Sequence, residues 1–363
     1  MTKLMSKTIH KKAQKLLILG VFGFALAGCK TETLISNDIL ASSENAVYSK
    51  NGRFFVVGNS TPESLITKES AIYEVTREGE NYTLSSVVES ADYLANEEPC
   101  QFRGITAYEN TVYAVCSYST IGELIGQTLP LATHTILVKL DAAKAPGDEG
   151  YVETTQVFGP LISPNGMATD SDGNIFVSDS NAYLSTFLAG IPAAAILKVT
   201  PTFDGEFSTT YESWYPALPT DAFPNGIQIL GDNLFYVTGT KLQKFHLHAS
   251  GVAGIPTTLY TAEACNIIDD FDIAPHGLIA ASEIRPTPEF DALLFPGQTC
   301  DQLPQGKLVT LSSHIPDLVY NEYVFDDGTF PSSTRFTRGS LFEPHAVVVT
   351  DYFTGGLKLV TED

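Results

Sequence analysis

Six positions along this 363-residue chain could do chemistry together: Glu44, Arg103, Asn165, Asn225, Asp269 and His345. Each opens a segment of one layout, an apolar alternating run, usually a tight turn, and a second run rich in aromatic and β-branched residues. The openings recur mostly at about 60 residues. If equivalent openings converge in space, two carboxylates and two carboxamide oxygens make a hard-oxygen set. That set suits Ca²⁺, which takes six to eight oxygens from flexible side chains and water, better than it suits zinc. Arg103 could orient a hydroxyl or carboxylate of a substrate, or support an oxyanion. His345 could serve as a base, histidine being the side chain that titrates near neutral pH. Each residue also has an ordinary reading. Asn-Gly is first of all a turn dipeptide, Asp269-Asp270 a solvated acidic pair and Glu44 a surface group. Arg103 could simply pair an acid, and His345 could be a neutral hydrogen-bonded ring.

The elements that must carry these residues are strands. Turns at Asn51-Gly52, Glu109-Asn110, Asp172-Gly173 and Asp232-Asn233 have hairpin chemistry, because Asn, Asp and Gly tolerate positive φ. Each leads into a strand such as Phe54–Val57, Val112–Val115, Ile175–Val177 or Leu234–Val237. A third strand returns in every unit, at Ile72–Val75, Ile136–Leu140, Ile196–Val199, Leu242–Phe245, Leu308–Leu311 and Leu357–Val360. Six such units, with no long helical pattern between them, predict an all-β six-bladed propeller over 41–363. The innermost strands of a propeller line a central channel, so the six openings would ring its mouth. A two-sheet sandwich is the alternative, and it gives no reason for six equivalent units.

Lysine and arginine number 21 against 42 acids, a net charge of −21. The first 28 residues hold five lysines and no acid, so the remainder carries −26. Such a surface repels nucleic acid and anionic headgroups and attracts cations. The leader itself combines those lysines with the apolar run Leu16–Ala27 and ends in Leu26-Ala27-Gly28-Cys29, which resembles the bacterial lipobox. The resemblance implies a signal peptide over 1–28, lipid on Cys29 and membrane attachment through that lipid. Lys30, in place of an Asp, favours the outer membrane. Residues 29–40 would be a lipid tether or would add the strand that closes the ring. Of the other four cysteines, Cys100–Cys116 and Cys265–Cys300 are favoured as disulfides because they are close in sequence, although three pairings exist.

Asn165-Gly166-Met167 through Asp172-Gly173-Asn174-Ile175-Phe176-Val177, and Phe223-Pro224-Asn225-Gly226-Ile227 followed by Ile268-Asp269-Asp270-Phe271-Asp272-Ile273, carry a family resemblance. They are similar to the senescence marker protein/gluconolactonase, paraoxonase and strictosidine synthase superfamily of six-bladed propellers, most strongly over about 160–283. The resemblance implies a central calcium or similar divalent ion held by Glu44, Asn165, Asn225 and Asp269. Asp270 stands where paraoxonases place a further Asn ligand. It also implies Asp269 as the base that activates water against a lactone or ester carbonyl. The chain departs from the family at the paraoxonase histidine dyad, for Arg103 stands at the first position and Ser117–Ser119 supplies no second. It reproduces neither the gluconolactonase Arg and Asn pair nor the strictosidine synthase glutamate.

Other chemistries find no motif: there is no Gly-x-Ser-x-Gly elbow, His-Glu-x-x-His or Walker loop. Asp170-Ser171-Asp172-Gly173 is a β-turn, lacking the glutamate an EF-hand needs. His246 and His248 alternate on one strand and face outward. Two functions remain, a calcium-dependent lactone or ester hydrolase and a non-catalytic propeller that binds a ligand or partner protein around structural calcium. The inserts 118–134 and 283–306, with Leu293-Leu294-Phe295-Pro296, would serve the second.

Overall fold

Strands that are apolar on both faces need sheets packed against both, and this chain meets that need by repetition. The computed structural model describes residues 29–41, 43–59, 69–95, 98–124, 127–155, 161, 164–180, 194–202, 206–216, 224–247, 255–285, 300 and 305–362. The leader 1–28 and most of the 283–306 insert, with Leu293–Pro296, lie outside these residues, as do the side chains of 119–134.

Six four-stranded antiparallel sheets form a ring, each wound from the innermost strand outward. From the inside, the first blade comprises Ala46–Tyr48, Phe54–Asn59, Ser70–Glu78 and Asn81–Glu89. The second comprises Gln101–Tyr108, Thr111–Leu124, Gln127–Asp141 and Val152–Thr154, and the third Pro164–Thr169, Ile175–Asp179, Ala194–Thr202 and Ser208–Pro216. The fourth holds Pro224–Leu230, Asn233–Thr238, Lys241–His246 and Thr257–Thr261, and the fifth Ile267–Ile273, Leu278–Arg285, Gln305–Ser312 and Val319–Val324. The sixth takes three strands from the C-terminus, Pro331–Phe336, Val347–Asp351 and Gly356–Glu362. Its outermost strand comes from the N-terminus, Cys29–Ser36. The fold is a six-bladed β-propeller, closed by pairing of its first strand with its last.

The apolar interior is divided into six slabs, one between each pair of neighbouring blades. Phe55 and Ile72 of the first blade pack against Phe102 and Cys116 of the second. Leu40 and Phe54 meet Val348 and Leu359 across the closure. Phe176 and Trp214 of the third meet Tyr236 and Phe245 of the fourth. The outermost strands are half solvated: Asn81–Glu89 and Ser208–Pro216 each leave most of their residues exposed or only partly buried. Both disulfides form, Cys100–Cys116 and Cys265–Cys300.

The sixth blade differs from the sequence reading. Its innermost strand is Pro331–Phe336, and Val347–Asp351 is its second. His345 therefore precedes the second strand, exposed and at φ +60°, rather than opening the first. Pro-Ser-Ser-Thr-Arg-Phe does not read as an apolar strand, yet all six residues are buried because the strand lines the channel.

Candidate functional site

Five of the six innermost strands carry a β-bulge at the same place. The register shifts fall between Phe102 and Ile105, Pro164 and Met167, Pro224 and Ile227, Ile268 and Phe271, and Pro331 and Thr334. A bulge frees a residue from the ladder and re-aims its side chain. The first freed residues are Arg103, Asn165, Asn225, Asp269 and Ser332, and Glu44 takes the corresponding place before Ala46 in the first blade.

The second freed residue is Gly104, Gly166 or Gly226 in the second to fourth blades, and its role is close approach. A Cβ on Gly226 would lie 2.5 Å from Asp270 Oδ1 and 2.9 Å from Asp270 Cα. One on Gly166 would lie 2.5 Å from the Asn225 carbonyl, and one on Gly104 would meet the Asn165 carbonyl. Asn165-Gly166 and Asn225-Gly226 are thus bulges against the next blade, not turns. Hydroxyls complete the joint in three blades. Ser178, Ser282 and Thr350 accept the bulge N–H of Gly166, Asp270 and Ser333 at 2.8, 2.9 and 2.9 Å. The same hydroxyls donate to the following blade, at the carbonyls of Asn225, Ser332 and Ser43.

The ring closes through side chains. Asn165 Nδ2 donates to Glu44 Oε2 at 2.8 Å, and Asn225 Nδ2 donates to Asp269 Oδ1 at 2.6 Å. Ser332 Oγ donates to Asp269 Oδ2 at 2.7 Å. Asn45 Nδ2 donates to Asn165 Oδ1 at 3.1 Å, and Arg103 Nη1 stands 3.8 Å from Glu44 Oε1. Burial and then the facing Glu44 carboxylate push Asp269 up to about 8, against the hydrogen bonds from Ser332 and Asn225. Two carboxylates thus share a small, partly exposed site, and such a pair gains from a shared proton or a cation. By type, two carboxylates and two carboxamides are a set that suits a hard divalent ion, and here both carboxamides turn Nδ2 toward the carboxylates.

Two predicted residues are not brought there. Asp270 points to the other side of the bulge, where its Oδ2 pairs with Arg335 Nη1. Its Oδ1 is buried without a hydrogen-bond partner. Burial pushes Asp270 up and the guanidinium opposes this. Arg335 also donates to the carbonyls of Ala46, Phe271 and Thr334, bracing the first, fifth and sixth blades. His345 lies at the opposite end of its blade, because Phe336 pairs with Val347 there while Pro331 pairs with Asp351 at the ring. It cannot act as a base for the ring. An open cavity of about 490 Å³ at that opposite end, lined by Tyr48, Lys50, Glu109 and Arg338 among others, has its two cations already paired, with Glu109 and Asp272.

Ser332 and Asn45 were missed, and a signal for Ser332 was present. Proline precedes the ring residue in Pro164-Asn165 and Pro224-Asn225, and the same step occurs in Pro331-Ser332. Asn45 carries no such mark.

In sequence the chain matches no family model, and no curated protein is similar to it. In structure it resembles a luciferin-regenerating enzyme at TM-score 0.54 and 13% identity, over 92% of this chain and 95% of that one. A gluconolactonase from Xanthomonas campestris aligns at 0.50 and 13%, covering 93% and 90%. A protein provisionally described as a gluconolactonase aligns at 0.54 and 15%, covering 92% of each chain. At these identities the likeness is one of fold: the chain is a six-bladed propeller of the architecture those gluconolactonase-like structures share.

Proposed function

We propose that this protein is an exported propeller, lipid-anchored through Cys29, that hydrolyses a lactone or related ester at the mouth of its channel with the help of a calcium ion. One observation carries the hydrolase reading: Glu44 and Asp269 face each other at the ring with Asn165 and Asn225 beside them. The fold likeness to a gluconolactonase supports the substrate class. The lipobox-like leader supports the anchor.

Glu44, Asp269 and the carboxamide oxygens of Asn165 and Asn225 would hold the ion. Bound there, the ion would polarise an ester carbonyl. Asp269, beside the ion, would be the group that takes a proton from an attacking water. Ser332 and Asn225 hold its two oxygens in place. Arg103, within reach of Glu44 and partly exposed, would orient a substrate oxygen. A panel of aliphatic and sugar lactones tests the reading. Asp269→Asn is expected to abolish turnover with the melting transition preserved, and full activity in that variant would sink it.

One observation favours a second reading, a non-catalytic propeller that binds a ligand or partner. Arg103 stands beside Glu44 and each carboxylate already accepts an amide, so the ring ties neighbouring blades together without any substrate. Absence of turnover on every lactone together with retained calcium would select it.

A further inference from the structure

The path of the closing strand says which way the channel mouth looks. Ser36 pairs with Gly356, which pairs with Asp351, which pairs with Pro331 beside the ring. Cys29, at the other end of the same strand, pairs with Glu362. Cys29 therefore lies on the face opposite the ring, up to about 23 Å along an eight-residue strand. It is also part of the body: Cys29 is already in the strand and packs against the slab formed by Phe325, Phe336 and Val347. No tether separates the point of lipid attachment from the propeller.

The same face carries exposed apolar side chains. Ile255 is 94% exposed and Ile315 44%, both on connections from third to fourth strands, which turn on that face in the fourth and fifth blades. Tyr320, 36% exposed, begins the fifth blade's outer strand beside them. The 28-residue leader, basic and then apolar, ends on this face at Cys29. The strands flanking 60–68, 181–193 and 286–299 instead end at the ring, as do both disulfides.

We infer that the face bearing Cys29, Ile255, Ile315 and Tyr320 rests on a lipid bilayer, so that the channel mouth opens away from the membrane toward soluble molecules. The inference rests on lipidation of Cys29. With no linker, acyl chains on Cys29 hold the sixth blade at the bilayer, and the apolar side chains of the fourth and fifth blades set the tilt. A site oriented this way takes its substrate from the aqueous side and not from the lipid.

The test uses the full chain, exported through its own leader, extracted in detergent and reconstituted in zwitterionic phosphatidylethanolamine/phosphatidylcholine vesicles carrying a headgroup nitroxide. Thiol fluorophores are placed at Ile255→Cys, on the proposed contact face, and at Phe353→Cys, exposed on the ring face. Both variants are kept only if they melt as the parent does. The N-terminal peptide mass is read in parallel. The inference expects an acylated Cys29, loss of fluorescence at 255 and none at 353. Inserting ten Gly/Ser residues after Cys29, with a span of about 17–19 Å, should relieve the quenching at 255. Acylated Cys29 with equal quenching at both sites, or more at 353, overturns the orientation alone. An unmodified Cys29 overturns the anchor and the orientation together.

Discussion

Metal-free protein should lose stability as pH rises through neutrality, because Asp269 binds its proton more tightly folded than unfolded. A carboxyl raised from 3.8 to about 8 contributes stability that is complete below about pH 4 and is lost as pH climbs through about 8. The full difference would be about 6 kcal/mol. Asp269 keeps partial exposure to the channel, and water there screens it from Glu44, so the expected loss is about 2–3 kcal/mol. Calcium should cancel the loss, since a cation held by Glu44 and Asp269 would compete with the proton. The assay is thermal unfolding in chelator at pH 5, 7 and 9, repeated in excess calcium and with Asp269→Asn. The parent should melt several degrees lower at pH 9 than at pH 5 in chelator, with the difference largely removed by calcium or by Asp269→Asn. A pH dependence that Asp269→Asn leaves unchanged would refute the assignment of the charge pair.

Gly226→Ala should destabilise by about 1–3 kcal/mol in urea unfolding, because the added Cβ meets the Asp270 backbone at 2.9 Å and something must shift. Calcium affinity should fall with it, as Asp269 is the next residue along. Arg335→Met should cost about 3–5 kcal/mol by stranding the buried Asp270 carboxylate, and adding Asp270→Asn should recover part of that. Replacing both Cys100 and Cys116 with Ala should lower stability by about 3 kcal/mol, the chain-entropy value for a loop of that size. Deleting 29–36 removes the closing strand, and the product should show a lower, broader melt than any of these single changes.

The architecture was legible because apolar alternation and turn dipeptides report strands directly. Every predicted third strand lies inside an observed one, from Ile72–Val75 in Ser70–Glu78 to Leu357–Val360 in Gly356–Glu362. Five ring positions were legible for the same reason, being polar residues immediately before an apolar run. The sixth failed because Pro331–Phe336 is polar yet buried: its Ser332 hydroxyl and Arg335 guanidinium are satisfied by neighbouring blades, which no local pattern reveals. Asp269 and Asp270 looked equivalent in sequence. A bulge sends one into the ring and the other to Arg335, sixty-five residues away. The glycines after Asn165 and Asn225 read first as turns, and only the position of the next blade shows that they make room for its backbone.

Whether Glu44, Asn165, Asn225 and Asp269 hold a divalent ion is read from calcium content together with binding by calorimetry. The measurement should be made on the detergent-extracted full chain, beside a Glu44→Ala, Asp269→Ala double variant shown to melt cooperatively. One calcium per chain in the parent, removed by chelator, raising the melting temperature on return and absent from the double variant, is the predicted result. Parent protein that binds no calcium, or a double variant that binds it equally well, would contradict the account.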